Sequence, residues 1–428
     1  MGQATKNTIL TFGAKSLYFV FTFVIGIIIA RTTGPEGKGI YSLVILTCSL
    51  AAIFAGFGVP TSNACFVGKK SAKLKSSLAT NSLLLLIVPI VLFGAAFLIL
   101  RNTYATNTLR LNLLKYVVIA LAVCPFLLLI SLFTELLHGM NKIYEFNIVL
   151  LAIPFFQVLI LLLLLHTADL RLALISWALS NILGAILVSL LLLKTTHFGV
   201  IDVPLLKEAL KFGFQIWLTN IIGIMSLRFD MYLVAYYLGA KGVGFYSVAT
   251  AISGFLFYIP TSIAVALLPR FTSTDTKSVS HLTCQGLRVS IASSILLLIL
   301  LFGAGKFLIP ALYGEAFSSA IAPLLILLPG VAIYGMAHIT TAYFNAHLGK
   351  PIINTGLAGL ALVIDIILNI VLTPRLGVVG AAISCTISYI LSMVVCLCIF
   401  TKLSGSSIKD VLVLRVADIR GLVKWNSQ

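Results

Sequence analysis

The sequence predicts an all-α integral membrane protein, with about twelve transmembrane helices in two parallel six-helix lobes. Three observations lead there. Of 428 residues, 60% are hydrophobic and only 10% are charged, too few charges to cover a soluble surface. The apolar residues gather in stretches of the roughly 20 residues needed to cross about 30 Å of hydrocarbon. The second half also repeats features of the first about 200 residues on. Leu10, Phe12 and Gly13 recur as Leu210, Phe212 and Gly213. Gly34, Gly37, Gly39, Tyr41 and Ser42 recur at the same internal spacing as Gly239, Gly242, Gly244, Tyr246 and Ser247. Pro60-Thr61-Ser62 recurs as Pro260-Thr261-Ser262.

The first span covers 9–30. Its apolar run continues from Leu17 to Ala30 with Lys15 near its start, and no small-x-small site precedes Arg31, so it reads as a span rather than a cleaved leader. Glycines 34, 37 and 39 predict a tight turn. Span two, 40–67, carries Pro60, and span eight, 243–269, carries Pro260; both prolines should kink their helices and are candidate hinges. Spans three to six are 78–100, 113–138, 147–166 and 170–193. The segment 194–209, with Asp202, Pro204 and Lys207, reads as a cytoplasmic inter-lobe linker between lobes 1–193 and 210–401. Span seven is 210–237, followed by the second glycine turn. Spans nine to twelve are 284–305, 320–346, 352–373 and 376–401, and 402–428 is a basic tail.

Twelve spans put both termini on one side. Placing them inside puts 19 of the 29 basic residues in cytoplasmic segments and 9 outside, with Arg228 within a span. That bias favours an inner-membrane, multi-pass protein with cytoplasmic termini. The outer group Arg101, Arg110 and Lys115 runs against it. Six spans per half make the lobes parallel repeats, an arrangement suited to transport because two lobes can rock about a site between them. The net charge of +17 is accounted for by loop Lys and Arg, so no nucleic-acid partner is expected. Seven cysteines show no Cys-x-x-Cys and no metal-ligand spacing; they read as packing residues.

The segment Arg31-Thr-Thr-Gly-Pro-Glu-Gly-Lys-Gly-Ile-Tyr-Ser-Leu resembles the opening of the Wzx-type oligosaccharide flippases, the polysaccharide-biosynthesis membrane proteins. Arg228-Phe-Asp-Met-Tyr-Leu-Val-Ala-Tyr-Tyr-Leu-Gly resembles the start of their second half, and His347-Leu-Gly-Lys-Pro is similar to a later motif of that family. The resemblance implies a MATE-like fold, shared with multidrug-and-toxin extruders and the lipid II flippase. It implies a substrate carried on undecaprenyl pyrophosphate, a lipid-linked oligosaccharide for O-antigen, capsule or exopolysaccharide. Polymerase and glycosyltransferases of the same pathway would be partners, besides membrane lipid.

Ionisable groups inside spans cost roughly 2.5–3.5 kcal/mol each at a helix centre, so each needs a partner or a wet cavity. Arg228 is a candidate for holding a pyrophosphate and Asp230 for binding a coupling cation. Two residues apart, they point about 200° away from each other around the helix. Either can also be read as one half of an interhelical ion pair. Glu135, one turn before His138, is a candidate proton relay or an interfacial pair. Asp365, one turn before Asn369, is a candidate cation site or an interhelical contact. Lys15, Arg31 and Arg270 are candidate headgroup contacts, or snorkelling interfacial side chains. No Gly-x-x-x-x-Gly-Lys-Ser/Thr occurs, so energy must come from a gradient. No cofactor is expected beyond a coupling Na⁺ or H⁺.

The competing readings are an ion-coupled multidrug/cation antiporter of the same fold, a lipid II flippase, a major-facilitator-type carrier and a membrane enzyme. Arg228 argues against a cationic substrate. Gly68-Lys-Lys-Ser-Ala-Lys-Leu-Lys lacks the acid of the facilitator signature. The outer loops are short and hold only Glu36, Asp169 and Glu315 as acids, which disfavours an enzyme.

Overall fold

The computed structural model describes residues 3–67, 72–91, 94–95, 114–163, 169–271 and 276–413, with no strand among them. The chain divides into two compact units, 1–221 and 222–428. The first holds α1 (Gln3–Gly56), α2 (Val59–Val67), α3 (Ala72–Leu85), α4 (Leu114–Gly139), α5 (Ile143–Leu163), α6 (Leu170–Leu193) and most of α7 (Val203–Arg228). The second holds α8 (Asp230–Ser253), α9 (Tyr258–Phe271), α10 (Thr276–Tyr313), α11 (Ile321–Tyr334), α12 (Ala337–Ala342), α13 (Pro351–Leu376), α14 (Val378–Ser404) and α15 (Ile408–Leu412).

Among the described residues, ten helical stretches are long and apolar enough to cross a membrane. Two of them, Leu10–Gly56 and Val203–Leu268, are 47 and 66 residues long, and each covers two of the expected spans. At 1.5 Å per residue, α1 would be about 80 Å if straight, more than twice the hydrocarbon thickness. It turns at Gly34, where φ is 67° and ψ is −175°. Beyond the corner, the Lys38 Nζ lies 3.6 Å from where a Cβ on Gly26 would sit, so the arms run side by side. Gly239 repeats the corner inside α8 with φ 68° and ψ −170°. Those angles belong to a region that is essentially glycine-only. The expected glycine turns are therefore one-residue corners between helical arms.

Both proline sites coincide with breaks. In span two, Phe57 and Gly58 take positive φ (44° and 72°), and α2 restarts with Pro60 as its second residue. A Cβ on Gly58 would collide with the Gly213 carbonyl on α7, so the chains touch backbone to backbone there. Ser62 Oγ donates to the Ala209 carbonyl at 2.9 Å and locks the crossing. In the second unit, a 3₁₀ turn over Gly254–Phe257 precedes α9, whose third residue is Pro260.

Some expected boundaries shift. The 194–209 segment is tied down: Asn81 on α3 exchanges hydrogen bonds with the Asp202 backbone at 2.8 and 3.1 Å, and α7 begins at Val203. The tenth span is interrupted at Gly335 and Met336 and ends in a π turn over Tyr343–His347. Arg288, near the start of expected span nine, lies within α10 and is 1% exposed. Lys38, assigned to an outer loop, is also buried. Arg101, Arg110 and residues 414–428 lie outside the described residues, and so does the surrounding of Lys115.

Each unit has its own core. In the first, Ile29, Cys48, Cys124 and Trp177 pack together, as do Leu78, Leu132, Phe133 and Val188. In the second, Phe271, Leu287, Tyr343, Phe400 and Val411 do so. Large apolar side chains such as Ile90, Leu163, Ile299, Phe307 and Ile367 point outward, the pattern lipid covers. Many polar side chains inside the helices return to their own helix: Thr33 donates to Ile29 O at 2.7 Å and Ser82 to Leu78 O at 2.8 Å. A bilayer demands such internal satisfaction. Five cysteines are buried, and Cys65 and Cys398 are exposed.

Candidate functional site

The α7–α8 junction separates Arg228 from Asp230. Arg228 is the last residue of α7 and Asp230 the first of α8, with Phe229 between them. Asp230 is 3% exposed and shares its face with buried Met231 and Val234, whereas Arg228 is exposed. The opposed directions expected from helical spacing are present. Counting back from Gly239, both lie about 14–16 Å below the corner, at the depth of hydrocarbon. Arg228 makes no hydrogen bond or ion pair with any described residue. Its charge reaches Asp230 only through space.

Asp230 anchors a buried polar cluster in the second unit. One carboxyl oxygen accepts from the Met231 N–H at 2.8 Å. The other accepts from the Tyr246 hydroxyl, across the Gly239 corner. On α13, Asn369 Nδ2 donates to Asp365 Oδ1 at 3.0 Å, and Thr373 Oγ1 donates to Asn369 Oδ1 at 2.7 Å. These bonds run along one helix at i,i+4 spacing. The Asp365–Asn369 pair lies on one face of one helix, as their spacing implies. Asp365, Asn369 and Thr373 are all buried. The Asp365 carboxyl also feels the Asp230 charge. Cys385 and Tyr389 on α14 are buried beside this cluster. Two buried carboxyls within mutual range repel when both are ionised, and a cation or a proton relieves that repulsion. Among the described residues no three His, Cys, Asp or Glu side chains converge as a metal site. The oxygen-rich donor set suits a hard monovalent ion or a proton.

The first unit gathers a second set of candidates. His138 Nδ1 lies 3.4 Å from Glu135 Oε2, and the side chains are 51% and 34% exposed. Lys15 on α1 is exposed and close enough for its charge to act on His138. Lys142 and Glu145 form a neighbouring pair at 3.8 Å. Arg31 is exposed beyond the first apolar run, and Arg270 is half-buried in the last turn of α9; both have partners. Pro60 and Pro260 sit at the two breaks described above. The candidates therefore fall into three groups, rather than one constellation.

Sequence reading missed the partners. Tyr246 was visible as a repeat residue, and so was its counterpart Tyr41, whose hydroxyl accepts from Gln157 Nε2 at 2.6 Å. Each repeat tyrosine thus reaches a buried polar group in its own unit. Arg288 was missed because it lies near the start of an apolar run; it donates to the Asp410 backbone and ties α15 to α10.

The family described as "Polysaccharide biosynthesis protein" matches residues 4–275. A Shigella flexneri protein named "Putative O-antigen transporter" is 24% identical over 397 residues, 88% of this chain and 92% of that one. Among solved structures, the lipid II flippase MurJ in an inward closed conformation matches with a TM-score of 0.75 at 15% identity, covering 99% of this chain and 92% of that one. An inward-facing multidrug resistance MATE family transporter of the MOP superfamily matches at 0.71 and 15% identity, covering 91% and 94%. These relatives and neighbours are transporters and flippases, not enzymes, and the shared fold is the MATE-like bundle.

Proposed function

Because the chain belongs to the polysaccharide biosynthesis protein family, we propose that it is a flippase moving a polyprenyl-pyrophosphate-linked oligosaccharide across the cytoplasmic membrane by alternating access. The carrier is undecaprenyl pyrophosphate, and the glycan is destined for the cell surface as O-antigen, capsule or exopolysaccharide. Both termini face the cytoplasm. Enzymes that assemble the glycan supply the substrate, and a polymerase consumes it.

The observation that carries this reading is Arg228. A guanidinium at mid-span with no partner among the described residues is expensive in hydrocarbon and needs an anionic ligand or water. A pyrophosphate meets its planar fork with two parallel charge-assisted hydrogen bonds. Lys15 would attract the headgroup on the inner side, and Arg31 would receive it outside; Arg270 is a further contact. Asp230 and Asp365, with Asn369 and Thr373, would bind the coupling Na⁺ or H⁺. Glu135 with His138 is the weaker candidate for coupling, being exposed at a helix end. Pro60 and Pro260 would act as hinges at their breaks.

Cells carrying Arg228→Ala in place of the wild type should show at least about a tenfold drop in surface glycan, the equivalent of about 1.4 kcal/mol of lost bonding. Lipid-linked precursor should accumulate at unchanged membrane levels of the protein. Arg228→Lys should restore export only in part. Normal export by Arg228→Ala would remove this residue from the site.

A further inference from the structure

We propose that a neutral cavity in the first unit seats one sugar ring of the transported headgroup; this rests on the flippase reading above. The cavity has a volume of about 260 Å³ and is walled by Trp217, Asn220, Ser49, Thr61 and Ser131. Counting from Leu210, where the apolar run begins, Trp217 is about 10 Å into a layer about 30 Å thick. Its lining carries no charged side chain.

Four polar side chains converge there without protein partners. Ser49, Thr61, Ser131 and Asn220 make no hydrogen bond to any described residue. Many other hydroxyls in the spans return to their own helix carbonyls, as Thr33, Ser82 and Thr401 do. The contrast is sharpest within the repeat: Thr261 Oγ1 donates to Phe257 O at 2.7 Å, whereas its counterpart Thr61 is left open toward the cavity. Unmet polar groups inside hydrocarbon cost several kcal/mol each, so this cavity holds water or a polar ligand. At about 30 Å³ per water its volume is that of about nine waters.

The chemistry of the walls selects the ligand. A pyrophosphate needs cations, and none lines the cavity. A cationic drug needs acids, and none is present. Three hydroxyls and an amide offer both donors and acceptors, the mixture that sugar hydroxyls require. The rest of the wall is apolar, from Ala52, Ile53, Pro60 and Leu127 and the rigid indole of Trp217. Trp217 Nε1 donates to Ile53 O at 3.1 Å, and the ring is stacked by Phe57 and Phe214 at centroid distances of 5.4 Å each. An apolar wall beside hydrogen-bonding groups matches a pyranose, which has C–H patches as well as hydroxyls. This cavity would read the sugar, a role separate from the one proposed for Arg228.

The test uses the purified full chain in lipid nanodiscs and two lipids. One is the glycolipid that accumulates in cells lacking this chain; the other is the same polyprenyl pyrophosphate stripped of sugar. Wild type should bind the glycolipid at least about tenfold more tightly. The double variant Ser131→Ala/Asn220→Ala should lose that preference while binding the bare carrier as wild type does, which also verifies its fold. Equal affinity of the wild type for both lipids, or a preference that survives in the double variant, overturns the sugar seat and leaves the flippase reading standing. Binding of neither lipid by the wild type overturns the flippase reading, and the sugar seat with it.

Discussion

Asp365 and Asp230 show what a single residue reveals in a membrane sequence and what it hides. Both stand out because a charge inside an apolar run is costly. Their direction can also be read, since Arg228 and Asp230 must point apart. Their partners are hidden, because Tyr246 reaches Asp230 only once the chain has turned at Gly239. If the carboxyl pair binds the coupling ion, Asp365→Asn should abolish the dependence of transport on the Na⁺ or H⁺ gradient and slow transport at least about tenfold. It should leave binding of the lipid-linked substrate intact. The buried Asn369 and Thr373 keep a neutral partner in the variant, so its membrane level should hold. Transport by reconstituted protein with the gradient imposed or collapsed is the measurement. Gradient-dependent transport by Asp365→Asn would make the Asp365–Asn369 bond purely structural.

At the scale of the element, glycine density marked the corners, but not how tight they are. The sequence says that Gly34 and Gly239 end a helix; the structure makes each corner a single residue with nearly the same φ and ψ. Gly58 was not singled out at all, since its role depends on Gly213 from a distant helix. The two kinds of glycine should behave differently. At Gly34 a Cβ meets nothing within 4 Å, so Gly34→Ala carries only backbone strain of about 1–3 kcal/mol. At Gly58 the same φ strain is joined by a clash with a backbone carbonyl that cannot move aside. Gly58→Ala should therefore lower the Tm of the purified protein clearly more than Gly34→Ala, and reduce its yield in membranes. Equal Tm losses would mean that the Gly58–Gly213 contact does not hold the break. The ties of the 194–209 segment are hidden for a similar reason: they show only once Asn81 is seen to bond Asp202.

For the whole molecule, the class was legible from composition, and the family from the motif around Gly34 and its copy around Gly239. The number of separate helices was less so, because the helical arms abut directly at both glycine corners. The cavity beside Trp217 was invisible in the sequence. It is built from residues on four helices, and single Ser, Thr and Asn residues in a span are ordinary. The cytoplasmic placement of the termini rests on the basic bias; a C-terminal reporter that works only outside the cytoplasm should stay silent, and activity there would invert every inside and outside label. The central claim is that the chain carries a glycolipid headgroup across the bilayer. Proteoliposomes loaded with the lipid-linked precursor on both leaflets, and probed by a glycan-modifying enzyme added outside, test it most directly. With wild-type protein, nearly all the precursor should become modified, whereas without protein, or with Arg228→Ala, modification should stop at about the half already outside. A wild-type plateau at one half, with the protein correctly inserted, would contradict the account.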